Sequence, residues 1–234
     1  TDHMEPYMEQ WKERGFVPDG IYTGFLSDEK QADKILKLMD TFSGEDTLIL
    51  TDPVMGDNGE VYPIYTEALR NRFCELVRRS YVITPNLTEA LILLYGKEKM
   101  EAIWREFQEI SGRERLDQIE EIGRRLAEEF SLSAVVITGV DYREGEEPVQ
   151  IGNLVLEKEK SSWVFAEKSG GSYSGTGDLF ASVLSAGLVK GYSMKKCAHL
   201  AVDFISASIR DAVEEGTDRN DGVCFEAHLG RLIQ

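Results

Sequence analysis

The sequence predicts an α/β protein, a three-layer α/β/α sandwich on a mostly parallel central sheet. Short apolar runs bounded by Gly, Pro or Asp recur along the chain, with helix-period stripes between them. The runs are apolar throughout rather than alternating, as in strands that crossover helices bury on both faces. The 234 residues suffice for one such domain with a sizeable core.

Residues 5–14 read as a helix and 20–24 as a strand. Residues 28–42 place Ile35, Leu36, Met39 and Phe42 at helical spacing behind a cap at Ser27 or Asp28. A strand at 47–51 precedes a helix at 65–78, in which Leu69, Phe73 and Val77 form the stripe. Residues 81–84 are a strand and 86–94 a helix; Pro85 disfavours helix at Thr84, and Asn86 and Glu89 have the spacing of a capping box. Residues 97–112 are charged enough to read as a solvated helix or loop. The helix at 114–130 turns Leu116, Ile119, Ile122 and Leu126 inward, and 134–138 is a strand. Strands at 149–157 and 162–167, around the polar Lys158-Glu159-Lys160 turn, form an antiparallel pair. Helices at 178–190 and 193–212, split by Gly191 with Ser193 as cap, and a short helix at 225–233 end the chain. No repeat, low-complexity linker or second domain is visible.

Charge narrows the partners. With 26 basic and 42 acidic residues the net charge is −16, which argues against nucleic acid or an anionic membrane. An anionic ligand therefore meets a repulsive field that local N–H groups, a cation and a few basic side chains must overcome. No run is apolar enough to span a bilayer and no signal peptide is seen. Cys74, Cys197 and Cys224 are odd in number and widely spaced, which fits reduced thiols in a cytoplasm. His3, His199 and His228 fall outside every motif.

Four strand ends and loops carry polar residues suited to phosphate and a divalent ion. Gly175-Thr176-Gly177-Asp178 opens a helix, where convergent N–H groups and the helix dipole cradle an anion. A carboxylate at that mouth suits proton abstraction from an alcohol; the plainer alternative is a tight turn whose acid only stabilises the helix. Asp52 and Asp57 flank a Pro-to-Gly turn after the strand at 47–51. Paired acids there suit magnesium, while Asp57-Asn58-Gly59 also reads simply as a turn. Asn86 and Glu89 combine capping geometry with the same placement, and Thr138-Gly139 ends a fourth strand.

Asp52-Pro53-Val54-Met55-Gly56-Asp57, Gly59, Tyr62-Pro63, Thr84-Pro85-Asn86-Leu87-Thr88-Glu89-Ala90 and Gly175-Thr176-Gly177-Asp178-Leu179-Phe180 occur in this order. Together they resemble the pyridoxal kinases of the ribokinase-like superfamily over nearly the whole chain. The resemblance implies a ribokinase-like fold and transfer of the ATP γ-phosphate to the 5′-hydroxyl of pyridoxal, pyridoxine or pyridoxamine. By it, Asp178 is the general base, and Gly175, Thr176 and Gly177 hold the transferring phosphoryl group. Asp57 and Glu89 position magnesium, partly through water, with Asp52 and Asn86 close by. Thr84 and Thr138 line the phosphate channel, Tyr173 lies near the nucleotide, and Tyr62 sits on the loop that covers the site. Phe25 matches a position, often tyrosine, that faces the vitamin ring; for Phe25 and Tyr62 plain packing is an equal alternative. A monovalent cation, a homodimer and a cytoplasmic location are further implications. By the resemblance, pyridoxal kinases carry roughly one more strand-helix-strand stretch ahead of the position of Thr1, holding the first central strand and part of the vitamin pocket; it is absent here either from the protein or only from this sequence.

Rival readings remain open. Hydroxymethylpyrimidine kinases usually show cysteine where Asp178-Leu179 begins its helix, and sugar kinases more often alanine at position 176. A catalytically weak nucleotide- or vitamer-binding module is the rival outside the enzymes. A P-loop enzyme is disfavoured, since no Gly-x-x-x-x-Gly-Lys-Ser/Thr run is present.

Overall fold

The computed structural model describes residues 3–233. Helix α1 (Met4–Glu13) leads into β1 (Gly20–Thr23), α2 (Glu29–Phe42) and β2 (Leu48–Thr51). A small hairpin, β3 (Gly56–Asp57) and β4 (Glu60–Val61), interrupts the path to α3 (Glu67–Arg78) and β5 (Val82–Ile83). Three helices follow, α4 (Leu87–Tyr95), α5 (Lys97–Gln108) and α6 (Gly112–Phe130). Then come β6 (Ala134–Tyr142), β7 (Gln150–Glu157), β8 (Lys160–Glu167), α7 (Thr176–Val189), α8 (Met194–Glu215) and a 3-10 helix at Glu226–Ile233.

The main sheet has the order β1-β2-β5-β6-β7-β8. Pairings from β1 to β6 are parallel; β6-β7 and β7-β8 are antiparallel. Alternation along each strand sorts the core into two layers. Ile49, Ile83, Val135 and Ile137 pack under α2, α3, α4 and α6. Leu50, Val82, Ala134 and Val136 pack under α7 and α8. Both faces of the sheet are covered, which is why its central strands contain no polar alternation.

Most helix starts follow local chemistry. Asp28, Thr66 and Ser193 each accept a backbone N–H from the first turn of the helix they precede. Asn86 and Glu89 form a complete capping box on α4. The structure settles or shifts the sequence reading in several places. Residues 97–108 take the helix alternative of the sequence reading, but not as a fully solvated one, since Met100 and Phe107 are buried. The strand expected at 134–138 runs on to Tyr142, through a register shift between Ile137 and Val140 that absorbs the glycine. The helix expected from 178 begins at Thr176, so Asp178 lies inside its first turn. The short helix read at 225–233 forms as a 3-10 helix, Glu226–Ile233.

Asn58 and Gly59, both at positive φ (50° and 78°), make the tight turn of the β3-β4 hairpin. Gly56 is the point of closest approach in that hairpin: a Cβ there would run into the Glu60 carbonyl and lie 3.0 Å from the Val61 Cα, both backbone. Gly56→Ala is expected to destabilise the fold by about 1–3 kcal/mol, seen as a lower urea midpoint at unchanged m-value.

Candidate active site

Hydrogen bonds carry the parallel ladder past the ends of β2 and β5. Asp52 N–H donates to the Thr23 carbonyl (2.8 Å), Thr84 N–H to the Thr51 carbonyl (3.2 Å) and Thr138 N–H to the Pro85 carbonyl (2.9 Å). Asn86 and Thr138 form an isolated parallel bridge. Register thus carries Asp52, Thr84, Asn86 and Thr138 to one edge, the carboxyl end where open α/β sheets bind ligands. A cleft of about 490 Å³ opens there, within the usual range for small-molecule sites. Asp52, Asp57, Tyr62, Thr84, Asn86, Glu89, Thr138, Tyr173, Gly175, Thr176, Gly177 and Asp178 all line it. Phe25 lies outside that lining and is 57% exposed. It falls just beyond the end of β1, where strand alternation no longer aims a side chain.

Gly175 caps α7 in the left-handed region, φ 82°, where a side chain is strained. No side chain caps this helix, so the N–H groups of its first turn are open to an anion. The Thr176 hydroxyl donates inward to the Tyr173 carbonyl (3.1 Å), which leaves its backbone N–H for the cradle. Ser174 N–H donates to the Arg219 carbonyl (2.9 Å) and ties the cradle to the loop after α8.

Glu89 organises the opposite wall. Its buried carboxylate accepts Met55 N–H (3.2 Å) on one oxygen and Asn86 N–H (2.9 Å) on the other. Asn86 Nδ2 in turn donates to the Gly56 carbonyl (2.8 Å). One capping box therefore fixes both α4 and the loop that carries Asp57. Asp57 accepts the backbone and side-chain N–H groups of Asn58, each at 2.9 Å. Asp141, also in the lining, pairs with Lys168 at 2.8 Å.

Carboxylates crowd this wall with little countercharge. Burial, opposed by the nearby Thr84 hydroxyl and reinforced by the Asp178 charge, pushes Asp52 up to about 7. Burial and the Asp52 charge push Glu89 well above the usual carboxylate range. Burial also raises Asp57, against the pull of Asn58 N–H and Arg219. Tyr62 stands over the same acids, 38% exposed, and burial with their charges holds its phenol protonated. Thr84 Oγ1 is buried beside the Asp52 carboxylate, close enough to lower its proton affinity but not aligned for a well-formed hydrogen bond.

These features test the fit of a divalent ion. Crowded carboxylates with raised affinity for protons are what a cation would relieve, and the Thr84 hydroxyl is a ready partner for an ion's water or a phosphate oxygen. Among the described residues no group of three or more His, Cys, Asp or Glu is arranged to hold a metal by itself. Magnesium suits such a wall, since it keeps several waters and shares its remaining sites with phosphate.

Sequence reasoning missed two residues. Tyr22 Oη donates to Asp178 Oδ1 at 3.0 Å across 156 residues. Arg219 lines the cleft as an exposed cation opposite the acids. Neither stands in a motif; the one available signal was the basic residue in the polar loop Asp218-Arg219-Asn220-Asp221-Gly222.

A model of the phosphomethylpyrimidine kinase family matches residues 12–222. The chain is 28% identical over 170 residues to a pyridoxine kinase of Bacillus subtilis, covering 70% of this chain and 54% of that protein. It is 27% identical over 207 residues to a pyridoxine/pyridoxal/pyridoxamine kinase of Bordetella avium, covering 86% and 64%. The chain thus spans between half and two thirds of the length of these relatives. A Bacteroides thetaiotaomicron structure, described as a phosphomethylpyrimidine kinase and crystallised with pyridoxal, superposes with a TM-score of 0.85 at 29% identity, covering 100% of this chain and 77% of that one. Pyridoxal kinase from Lactobacillus plantarum superposes at 0.79 with 22% identity, covering 97% and 75%, a likeness of fold.

Proposed function

We propose that this chain, which belongs to the phosphomethylpyrimidine kinase family, is an ATP-dependent kinase for the hydroxymethyl group of B6 vitamers. The observation that carries the proposal is the meeting of an uncapped N–H cradle, a wall of carboxylates and Asp178 in one cleft. Two curated B6-vitamer kinases and the pyridoxal-bound relative support a vitamer as acceptor. Asp178, Gly56-Asp57 and Tyr62 support the same branch.

In this reading Asp178 takes the proton of the acceptor alcohol as its oxygen attacks the γ-phosphorus and the bond to the ADP oxygen breaks. Charge developing on the phosphoryl oxygens meets the N–H groups of Gly175, Thr176, Gly177 and Asp178. Thr84, Thr138 and Arg219 border the phosphate path, and Tyr173 the nucleotide. Tyr62 covers the acids and limits water, which competes with the alcohol as acceptor. Asp57 and Glu89 would hold magnesium, partly through water, with Asp52 and Asn86 beside them; when bound, the ion neutralises phosphate charge. One kinase domain, a cytoplasmic homodimer and a monovalent cation complete the reading.

The family description names a phosphomethylpyrimidine, which keeps open the pyrimidine reading, with hydroxymethylpyrimidine as the second acceptor. ADP release measured with pyridoxal, pyridoxine, pyridoxamine and hydroxymethylpyrimidine, with and without magnesium, separates the two. The expected result is magnesium-dependent release with at least one B6 vitamer. Release with the pyrimidine alone would move the substrate to the second reading. Nucleotide binding without release on any acceptor would leave a binding module.

A further inference from the structure

Two acids in this cleft occupy the same position on two different helices. Glu89 is the third residue after the cap of α4, and Asp178 the third after the cap of α7. An acid there ordinarily folds back on the N–H of its own cap, closing a capping box. Glu89 does so, at 2.9 Å from Asn86 N. Asp178 makes no such bond among the described residues; its Oδ1 instead receives the Tyr22 hydroxyl at 3.0 Å.

Tyr22 comes from β1 and reaches Asp178 from behind. It does not line the cleft, and its ring packs against the apolar layer under α7 and α8. Gly24 leaves the space for this reach: a Cβ there would stand 2.9 Å from the Tyr22 Oη and 3.5 Å from Asp178 Oδ1. Burial, then the charges of Asp52 and Asp178, then the hydrogen bond itself keep the Tyr22 phenol protonated, so it remains a donor to the carboxylate. Resting on the kinase reading above, we propose that Tyr22 is a positioning residue. It draws the Asp178 carboxylate off the start of its own helix and presents Oδ2 to the acceptor alcohol.

The geometry sets the test. Tyr22→Phe keeps the ring and removes the donor. It is expected to lower kcat about tenfold, the scale of one hydrogen bond to a charged group, with nucleotide affinity and melting temperature unchanged. Gly24→Ala, which leaves residue 22 a tyrosine but pushes its hydroxyl away by a Cβ contact at 2.9 Å, is expected to lower kcat similarly. The Tyr22→Phe/Asp178→Ala double variant is expected to equal Asp178→Ala alone, since Tyr22 acts only through that carboxylate. Full additivity, or wild-type kcat in Tyr22→Phe, would overturn the positioning role while leaving the kinase reading intact. A wild type inactive on every acceptor would remove the kinase reading instead. The crystal structure of Tyr22→Phe then decides the positioning role by itself. The carboxylate of Asp178 is expected to turn back toward Gly175 N–H, and an unmoved carboxylate would refute the proposal.

Discussion

Asp178→Ala is expected to lower kcat for phosphoryl transfer by about 10²- to 10⁴-fold, the usual worth of a positioned general base. The cradle survives the change, because it is built from backbone N–H groups whose cap is a left-handed glycine. Affinity for magnesium-nucleotide is therefore expected to stay within a few-fold of wild type. The Asp178 side chain is exposed and, among the described residues, accepts a hydrogen bond from Tyr22, so thermal stability is expected to change little. Steady-state kinetics and calorimetric titration on the same preparation separate these terms. A loss of nucleotide binding as large as the loss of kcat would mean that Asp178 holds the nucleotide rather than the proton.

Asp52→Asn is expected to raise the stability of the unliganded chain. Burial raises Asp52 from an ordinary 3.8 to about 7 in the folded chain. Between those values the folded state binds more protons than the unfolded state, so stability falls as pH rises from about 4 to about 7 and is level above that. At about 1.4 kcal/mol per pH unit, the ionised group costs the folded chain up to about 4 kcal/mol at pH 8. The asparagine variant carries no such charge and also relieves Glu89, which the Asp52 charge helps to push up. Without ligand it is expected to melt higher than wild type at pH 8, with the gap closing toward pH 5. Magnesium-nucleotide is expected to stabilise wild type more than the variant. A gap independent of pH would show that Asp52 is ionised at no cost.

Much of this was legible in the sequence where local chemistry decides the outcome. The capping box of Asn86 and Glu89 needs only three residues of spacing, and it forms as read. Asn58-Gly59 makes its turn for the same reason. Twelve of the thirteen proposed site residues meet in one cleft because strand ends and helix starts lie where parallel β-α units put them. What was not legible depends on side-chain direction and long-range reach. Tyr22 is three positions from Phe25, yet Tyr22 is the aromatic that touches Asp178. Choosing between them requires knowing where β1 stops, at Thr23, and which face each residue then takes. Arg219 enters the cleft through a loop bond to Ser174 that no sequence spacing encodes. The continuation of β6 past Gly139 depends on the antiparallel partner β7, which supplies Asn153 Oδ1 to Gly139 N–H at 3.2 Å.

A crystal structure with a non-hydrolysable ATP analogue, magnesium and pyridoxal tests the central claim most directly. The account predicts the terminal phosphate seated on the N–H groups of Gly175 to Asp178, the metal between it and the Asp57–Glu89 wall, and the acceptor hydroxyl within hydrogen-bond reach of Asp178. A nucleotide seated elsewhere, or an acceptor hydroxyl that faces away from Asp178, would contradict it.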